Sequence, residues 1–462
     1  MSVRLVNVDR NTPMFLPCDL REWVPADHLV HFILDAIEQI PTGHFRLNHR
    51  GTGSEQYPPT MMLALLIYGY ATGRSGSRTM EAATYSDVAV RYLCANVHPD
   101  HDSICTFRRE NKVAIEAAFV QVLQLARELK LARVGTISID GTKMLANASK
   151  HAAVSYGRAA ERIEQLQLEV KQLLEKAETA DAQELSSGLD VPAELARREK
   201  RLAALKEARR VIEERAQESA AAQQSQYEAK RAQRQAEREK GNKPKGKEPQ
   251  PPSPQAEAKA QYNFSDPQSR IMKAGSSGHF EQAYNAQAAV DENMLIVGAQ
   301  VSQAPNDKEQ LIATLAVVEP EVKAEVKAVL VDSGFYSEAA VRAVEQKPDG
   351  TPSGVTVYAA VERISHHRSV EDLMEKEEPA PLTEAATPKE RMAHRLKSKA
   401  GRELYKLRKQ TVEPVFGIIK EAMGFRRFRL RGWKKVSLEW ILVCVSYNLK
   451  RMFALKNLAM AN

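Results

Sequence analysis

Three acidic residues stand out by type and setting: Asp140 in ISIDGTKM, Asp332 in VLVDSGFY and Glu413 in YKLRKQTVEPVFGIIK. The two aspartates close apolar, β-branched runs that read as core strands entering turns. The glutamate falls in a late basic stretch with helical spacing. Acids so far apart meet only in a fold that carries two strand ends to one helix. Together they could hold two Mg²⁺ ions about 3.5–4 Å apart, the arrangement that cleaves a phosphodiester by activating the attacking oxygen and neutralising the leaving one. Hard divalent ions favour carboxylate oxygen, so three carboxylates with no His or Cys suit Mg²⁺, with Mn²⁺ as a substitute. On this reading Asp140, Asp332 and Glu413 are both catalytic residues and metal ligands of a DNA-cutting enzyme.

Each acid alone has a plainer explanation. An Asp ahead of Gly, as at Asp140, or ahead of Ser-Gly, as at Asp332, is most often a turn former. Glu413 stands four residues after Lys409 and seven before Lys420, as on a solvated, salt-bridged helix face. The combination favours chemistry because of the order of elements around the acids. The run VGTISID is a first strand; YNAQAAVD from Tyr284 and LIVGAQV from Leu295 form a hairpin; Leu311, Ile312, Leu315 and Val318 have helical spacing. The strand AVLVD, a helix from about Ser337 to Gln346, the strand VTVYAAV and the basic helix of Glu413 follow, giving an α/β core of order βββαβαβα. AVLVD is apolar on both faces, as a central strand covered by helices should be.

Two other regions frame that core. From about Asp19 to Asn111 the spacing is helical, with Leu29, Phe32, Ile33 and Ile37 on one face and the apolar run MMLALLIYGYATG. Between Ala160 and Arg215 the chain is rich in Glu, Lys, Arg, Ala and Leu, with Ile163, Leu166, Val170, Leu173 and Ala177 at 3-4 spacing. Ser186, Ser187, Gly188 and Pro192 interrupt it, which predicts an antiparallel helical hairpin. A polar tail ending in GNKPKGKEPQPPSPQ reads as linker. The expected organisation is 1–112 an all-helical N-terminal domain, 113–150 the start of the core, 155–262 the hairpin insert and Pro/Lys-rich linker, and 263–462 the rest of the core with C-terminal helices.

Net charge is only +7 over 462 residues, but Lys389 to Lys435 holds sixteen Lys or Arg against four Glu, so a polyanion partner is expected there. Cys18, Cys94, Cys105 and Cys444 form no CxxC pair and read as small core residues of a reducing compartment. The N-terminus lacks an apolar leader and no run is long enough for a membrane span, so a cytoplasmic protein is expected.

The residues Tyr405, Arg408, Glu413 and Lys420 carry a resemblance to the bacterial insertion-sequence DDE transposases with a Tyr-Arg-Glu-Lys signature. The segments HRGTGSEQYPPTMMLALLIYGYATG, SDVAVRYLCANVHPDHDSICTFRREN and FRLRGWKKVSLEWILVCVSYNLKR look like that family too. The resemblance implies an RNase H-like core and DNA cleavage with strand transfer at terminal inverted repeats. It also implies Mg²⁺ on Asp140, Asp332 and Glu413, and an N-terminal domain that helps bind the repeats. Tyr405, Arg408 and Lys420 would then contact DNA phosphates. The family leaves three residues between the basic residue and Glu, whereas Arg408 leaves four and Lys409 three, so either could be the signature cation; Lys409 shares Glu413's helical face better. In FRRFRLRGWKK, Arg426, Arg427, Arg429 and Arg431 alternate with Phe425, Phe428 and Trp433, as in a phosphate-binding surface or in core aromatics flanked by snorkelling arginines.

Two further features have competing readings. His98, Asp100, His101 and Asp102 pack four potential ligands into five positions, tighter than one loop wraps around an ion; a turn and helix cap is the simpler reading. The hairpin reads as a coiled-coil spacer or as a dimerisation element of a DNA complex that brings two ends together. The alternatives to a transposase are a descendant that binds DNA without cutting and an RNase H-like nuclease without strand transfer.

Overall fold

The fold is described from a computed structural model, over residues 19–47, 55–183, 191–239, 247–274, 278–361, 378–383 and 385–461. Helices α1 (Leu29–Glu38), α2 (Pro59–Ala71), α3 (Ser77–Ser86), α4 (Val88–Leu93), α5 (His101–Glu110) and α6 (Lys112–Glu128) come first. Asp87 and Asp100 begin α4 and α5 by accepting backbone N–H groups with their carboxylates. Helix α2 is apolar on every side, and Met62 through Ala71 are all buried, so it is a central helix. A second such helix, at the C-terminus, packs against α2 and α6. One continuous hydrophobic core therefore joins the N-terminal helices to the sheet.

The sheet strands are β1 (Thr136–Leu145), β4 (Arg270–Ala274), β5 (His279–Val290), β6 (Ile296–Ser302), β7 (Ala328–Val331) and β8 (Thr356–Ala359); β2 (Ala153–Ser155) and β3 (Gln261–Asn263) pair separately. β1 lies antiparallel to β5 and parallel to β7, and β7 is parallel to β8. The first half of β5 pairs with β4 and the second with β6. Apart from β4, the main strands in chain order (β1, β5, β6, β7, β8) lie third, second, first, fourth, fifth across the sheet. α9 (Gln310–Ala316), α10 (Pro320–Glu325) and α11 (Glu338–Glu345) make the crossovers. α12 (Pro388–Lys397), α13 (Lys399–Gly417), a π turn over Ile418–Ala422 and α14 (Trp433–Ala461) complete the chain.

Two expectations need correction. The strand expected to end at Asp140 runs on to Leu145, because the whole stretch after Asp140 finds a partner in β5, from Gly141 opposite Gln287 to Leu145 opposite Ala283. The polar stretch after Arg215 is helical to Glu239: its Ala, Gln, Glu, Lys and Arg are strong helix formers even without an apolar stripe. Helices α7 (Tyr156–Gln183) and α8 (Val191–Glu239) are antiparallel, with Tyr156 Oη donating to Glu213 at 2.7 Å and Arg198 paired with Glu169 at 3.0 Å. Val154, Ala159, Ile163, Leu166, Leu205 and Ala208 give the hairpin its own small core. Ser186 to Gly188 lie outside the described residues. No helix among the described residues is long and apolar enough to cross a membrane.

Candidate active site

β1 presents Ser138, Asp140 and Thr142 to α13 and the π turn. Thr411 Oγ1 donates to Ser138 Oγ at 2.8 Å, Arg408 reaches Asp140, and Lys420 Nζ donates to Thr142 Oγ1. β7 ends one residue before Asp332. Ser138 across from Leu330 is the last pair of the β1–β7 ladder, and Asp332 beyond it is near enough for its charge to act on Asp140. Asp332 is turned by its own loop, accepting the Gly334 N–H at 2.8 Å. Tyr405 Oη donates to Val331 O at 2.8 Å and ties α13 to this strand end.

One guanidinium joins the acids. Arg408 Nη1 lies 3.2 Å from Asp140 Oδ2 and Nη2 2.8 Å from Glu413 Oε1, with only 12% of the Arg408 side chain exposed. Among the described residues no three acid, His or Cys side chains stand close enough to close on one ion. Asp140 and Asp332 are neighbours, and Glu413 is linked to Asp140 through Arg408. Burial and the charge of Asp332 push the Asp140 carboxyl up to about 7, against the pull of Arg408. The site thus holds more negative charge than its own cation neutralises, and all its donors are carboxylate oxygens. By donor chemistry Asp140, Asp332 and Glu413 suit a hard divalent ion, but as they stand they do not close on one, and Arg408 lies between two of them.

The raised Asp140 has a measurable consequence. A carboxyl whose folded pKa lies above its ordinary value contributes stability at acid pH and loses it as pH rises through about 7. The metal-free protein should melt lower at pH 8 than at pH 6. Asp140→Asn should reduce that difference, leaving the share of Asp291, whose carboxyl burial also pushes up to about 7; an unchanged pH dependence in the variant would refute the assignment.

The other expected site residues divide. Arg408, not Lys409, faces the acids: Lys409 is exposed, whereas Arg408 is drawn in by Asp140, which lies off the helix, and its long side chain also reaches Glu413. Glu413 is therefore not on a face salt-bridged to Lys409. Pro414 inside α13 and the π turn after it carry Lys420 to β1. Arg427 bridges to Leu145 by its backbone, Arg429 Nε donates to Ser75 Oγ at 3.2 Å, Arg431 Nε donates to Asn147 O at 2.9 Å, and Arg426 pairs with Glu421. Phe425 and Phe428 are core residues, 1% and 0% exposed, while Trp433 stays partly outside at 41%. In the N-terminal cluster Asp100 caps α5, His98 stacks on Tyr85 at 3.9 Å and His101 meets Glu81 at 2.8 Å. Cys94 and Cys444 are buried and Cys105 is half-buried; Cys18 lies outside the described residues.

The sequence did not point to Lys143 and Asp307. On the opposite face of β1, Asp307 Oδ1 accepts from Asn285 Nδ2 at 2.7 Å and Gln287 Nε2 at 2.6 Å, with Lys143 Nζ at 3.5 Å. Lys143 becomes visible only once the strand is known to continue past Asp140. Gly141 makes room for this cluster, since a Cβ there would collide with Gln287 Nε2 and come within 2.7 Å of Asp307 Oδ1. Gly141→Ala should destabilise the protein by about 1–3 kcal/mol through overpacking, read as a lower urea midpoint; an unshifted midpoint would show that the cluster gives way freely.

With this geometry in view, the comparisons with known proteins are specific. A family model described as a transposase DDE domain matches residues 376–453, and one described as a transposase domain (DUF772) matches residues 18–110. Both descriptions are of transposase domains, one at each end of the chain, and neither match reaches half of its length. The resemblance to insertion-sequence DDE transposases with an N-terminal domain holds at both ends of the chain. Glu413 and Lys420 fall inside the first match; Asp140 and Asp332 fall outside both. No curated protein and no solved structure matches the chain.

Proposed function

We propose that this chain cuts DNA at the terminal inverted repeats of its own insertion sequence and joins the freed ends to a target, on an RNase H-like core. The observation that carries this is the pairing of Arg408 with both Asp140 and Glu413, with the charge of Asp332 acting on Asp140, three acids from distant places in the chain. The strand order, with β1 antiparallel to β5 and parallel to β7, supports the fold assignment. The three carboxylates would hold Mg²⁺, in two ions, with Mn²⁺ as a substitute. When bound, the metal neutralises charge on the scissile phosphate and its leaving oxygen. Tyr405 fixes the acid-bearing helix against Val331; Arg408 keeps Asp140 and Glu413 at a common locus; Lys420, half-buried beside Thr142, places a cation next to the acids for a phosphate oxygen. Arg426, Arg427, Arg429 and Arg431 form the flanking cationic loop, and Lys409 an outer contact. Two DNA ends call for a dimer or higher assembly, acting in the cytoplasm on nucleoid DNA.

Incubating the chain with duplexes of the element's ends, a supercoiled plasmid and Mg²⁺ tests this. Strand transfer into the plasmid is the expected product. Nicking without joining would instead show a nuclease, and binding without either would show a DNA-binding descendant.

A further inference from the structure

Beyond the acids, the root of the helical insert carries a feature that the transposase reading leaves unused. After β1 the chain passes Asn147, whose Nδ2 donates to Arg429 O at 2.6 Å and whose carbonyl accepts from Arg431 Nε. It then reaches a cleft of about 380 Å³ between the insert root and strands β4 and β5, lined by Lys150, His151, Arg158, Ile271, Phe280 and Glu281. Phe280 is 61% exposed and Ile271 38%, high for apolar side chains on a sheet. Lys273 stands directly across from Phe280. Lys150 and Arg158 thus line a cleft that holds one exposed ring, Lys273 stands across the strand pair from that ring, and the lining has a single acid, Glu281, 3.8 Å from Lys150.

We propose that this cleft grips the DNA duplex on the flank of the phosphodiester to be cut, resting on the DNA substrate argued above. Cations beside an exposed aromatic ring suit the duplex backbone, its phosphates together with the apolar face of a deoxyribose. The cleft lies within a duplex's reach of the site: from Asp140 to Leu145 β1 covers about 17 Å, roughly half a turn of duplex, and the arginine loop, which pairs with Leu145 and Asn147, stands between the two. The insert is then part of the DNA-binding surface and not only a spacer between other elements.

The test is fluorescence anisotropy of the full chain with a fluorescein-labelled duplex of the element's end, over a series of salt concentrations. The combined variant Lys150→Gln, Arg158→Gln, Lys273→Gln should weaken binding and lower the slope of log affinity against log salt by about 0.9 for each phosphate no longer neutralised. Phe280→Ala should weaken binding about tenfold, the loss of part of one buried aromatic side chain, with the slope unchanged. All four side chains are exposed, and matching thermal melts would confirm intact folding. Variants that bind with wild-type affinity and slope would overturn the proposal alone. Sedimentation showing that they dissociate an oligomer without altering DNA affinity would overturn it in favour of a contact between copies of the chain. A wild-type chain that binds no DNA would sink this proposal and the transposase reading together.

Discussion

Asp332→Asn is expected to lower metal-dependent strand cleavage by about 10³-fold or more, the loss of several kcal/mol of charge stabilisation in the transition state. The substitution keeps shape, since the new Oδ1 can still accept the Gly334 N–H. It removes one of two neighbouring like charges, so the Asp140 carboxyl should return toward its ordinary range and the metal-free fold should be no less stable. That pairing of outcomes separates chemistry from damage: activity falls while the melting temperature holds or rises and DNA binding persists. Cleavage within a few-fold of wild type would remove Asp332 from the site.

The second large effect lies far from the acids. Glu439 is fully buried on α14 and accepts the Tyr70 hydroxyl at 2.7 Å and the backbone N–H groups of Arg429 and Leu430 at 2.9 and 3.0 Å. Arg108 donates to the same Tyr70 oxygen at 2.9 Å. Glu439→Ala leaves the Tyr70 hydroxyl and two backbone donors without their acceptor and the buried Arg108 guanidinium without its counter-charge, and should cost about 3–5 kcal/mol in urea unfolding. Glu439→Gln, which keeps an acceptor but no charge, should cost less. If the alanine variant lost under about 1 kcal/mol, the network would be incidental. Because Glu439 also fixes the arginine loop, the alanine variant should bind DNA more weakly even where it remains folded.

The sequence was most legible where local pattern and final environment agree. AVLVD reads as a covered central strand and is one, and the 3-4 spacing of Ile163 and Leu166 reads as the hairpin's inner face, where both are buried. Asp140 misled because Asp-Gly-Thr is turn chemistry, and only pairing with β5, more than a hundred residues away, keeps the strand extended. Arg408 misled because helical spacing treats side chains as radial spokes, while an off-helix acid decides where a long side chain goes. β4 is five residues with Arg and Lys among them, too short and mixed to register. Glu439 could have been found: a lone acid inside VSLEWILVCVSYNL must be buried and partnered.

The position of the insert also bears on how the chain folds. β1 and β5 are adjacent in the sheet but separated in sequence by all of α7 and α8, and closing so long a loop would slow their encounter. The hairpin shortens that search. Its two helices can associate locally, and the pairing of Ser155 with Gln261 at their base brings the two chain ends together before the sheet exists. An insert that folds first leaves the core to assemble as though the intervening hundred residues were a short turn, and a break in the β2–β3 clamp would slow refolding more than it lowers stability.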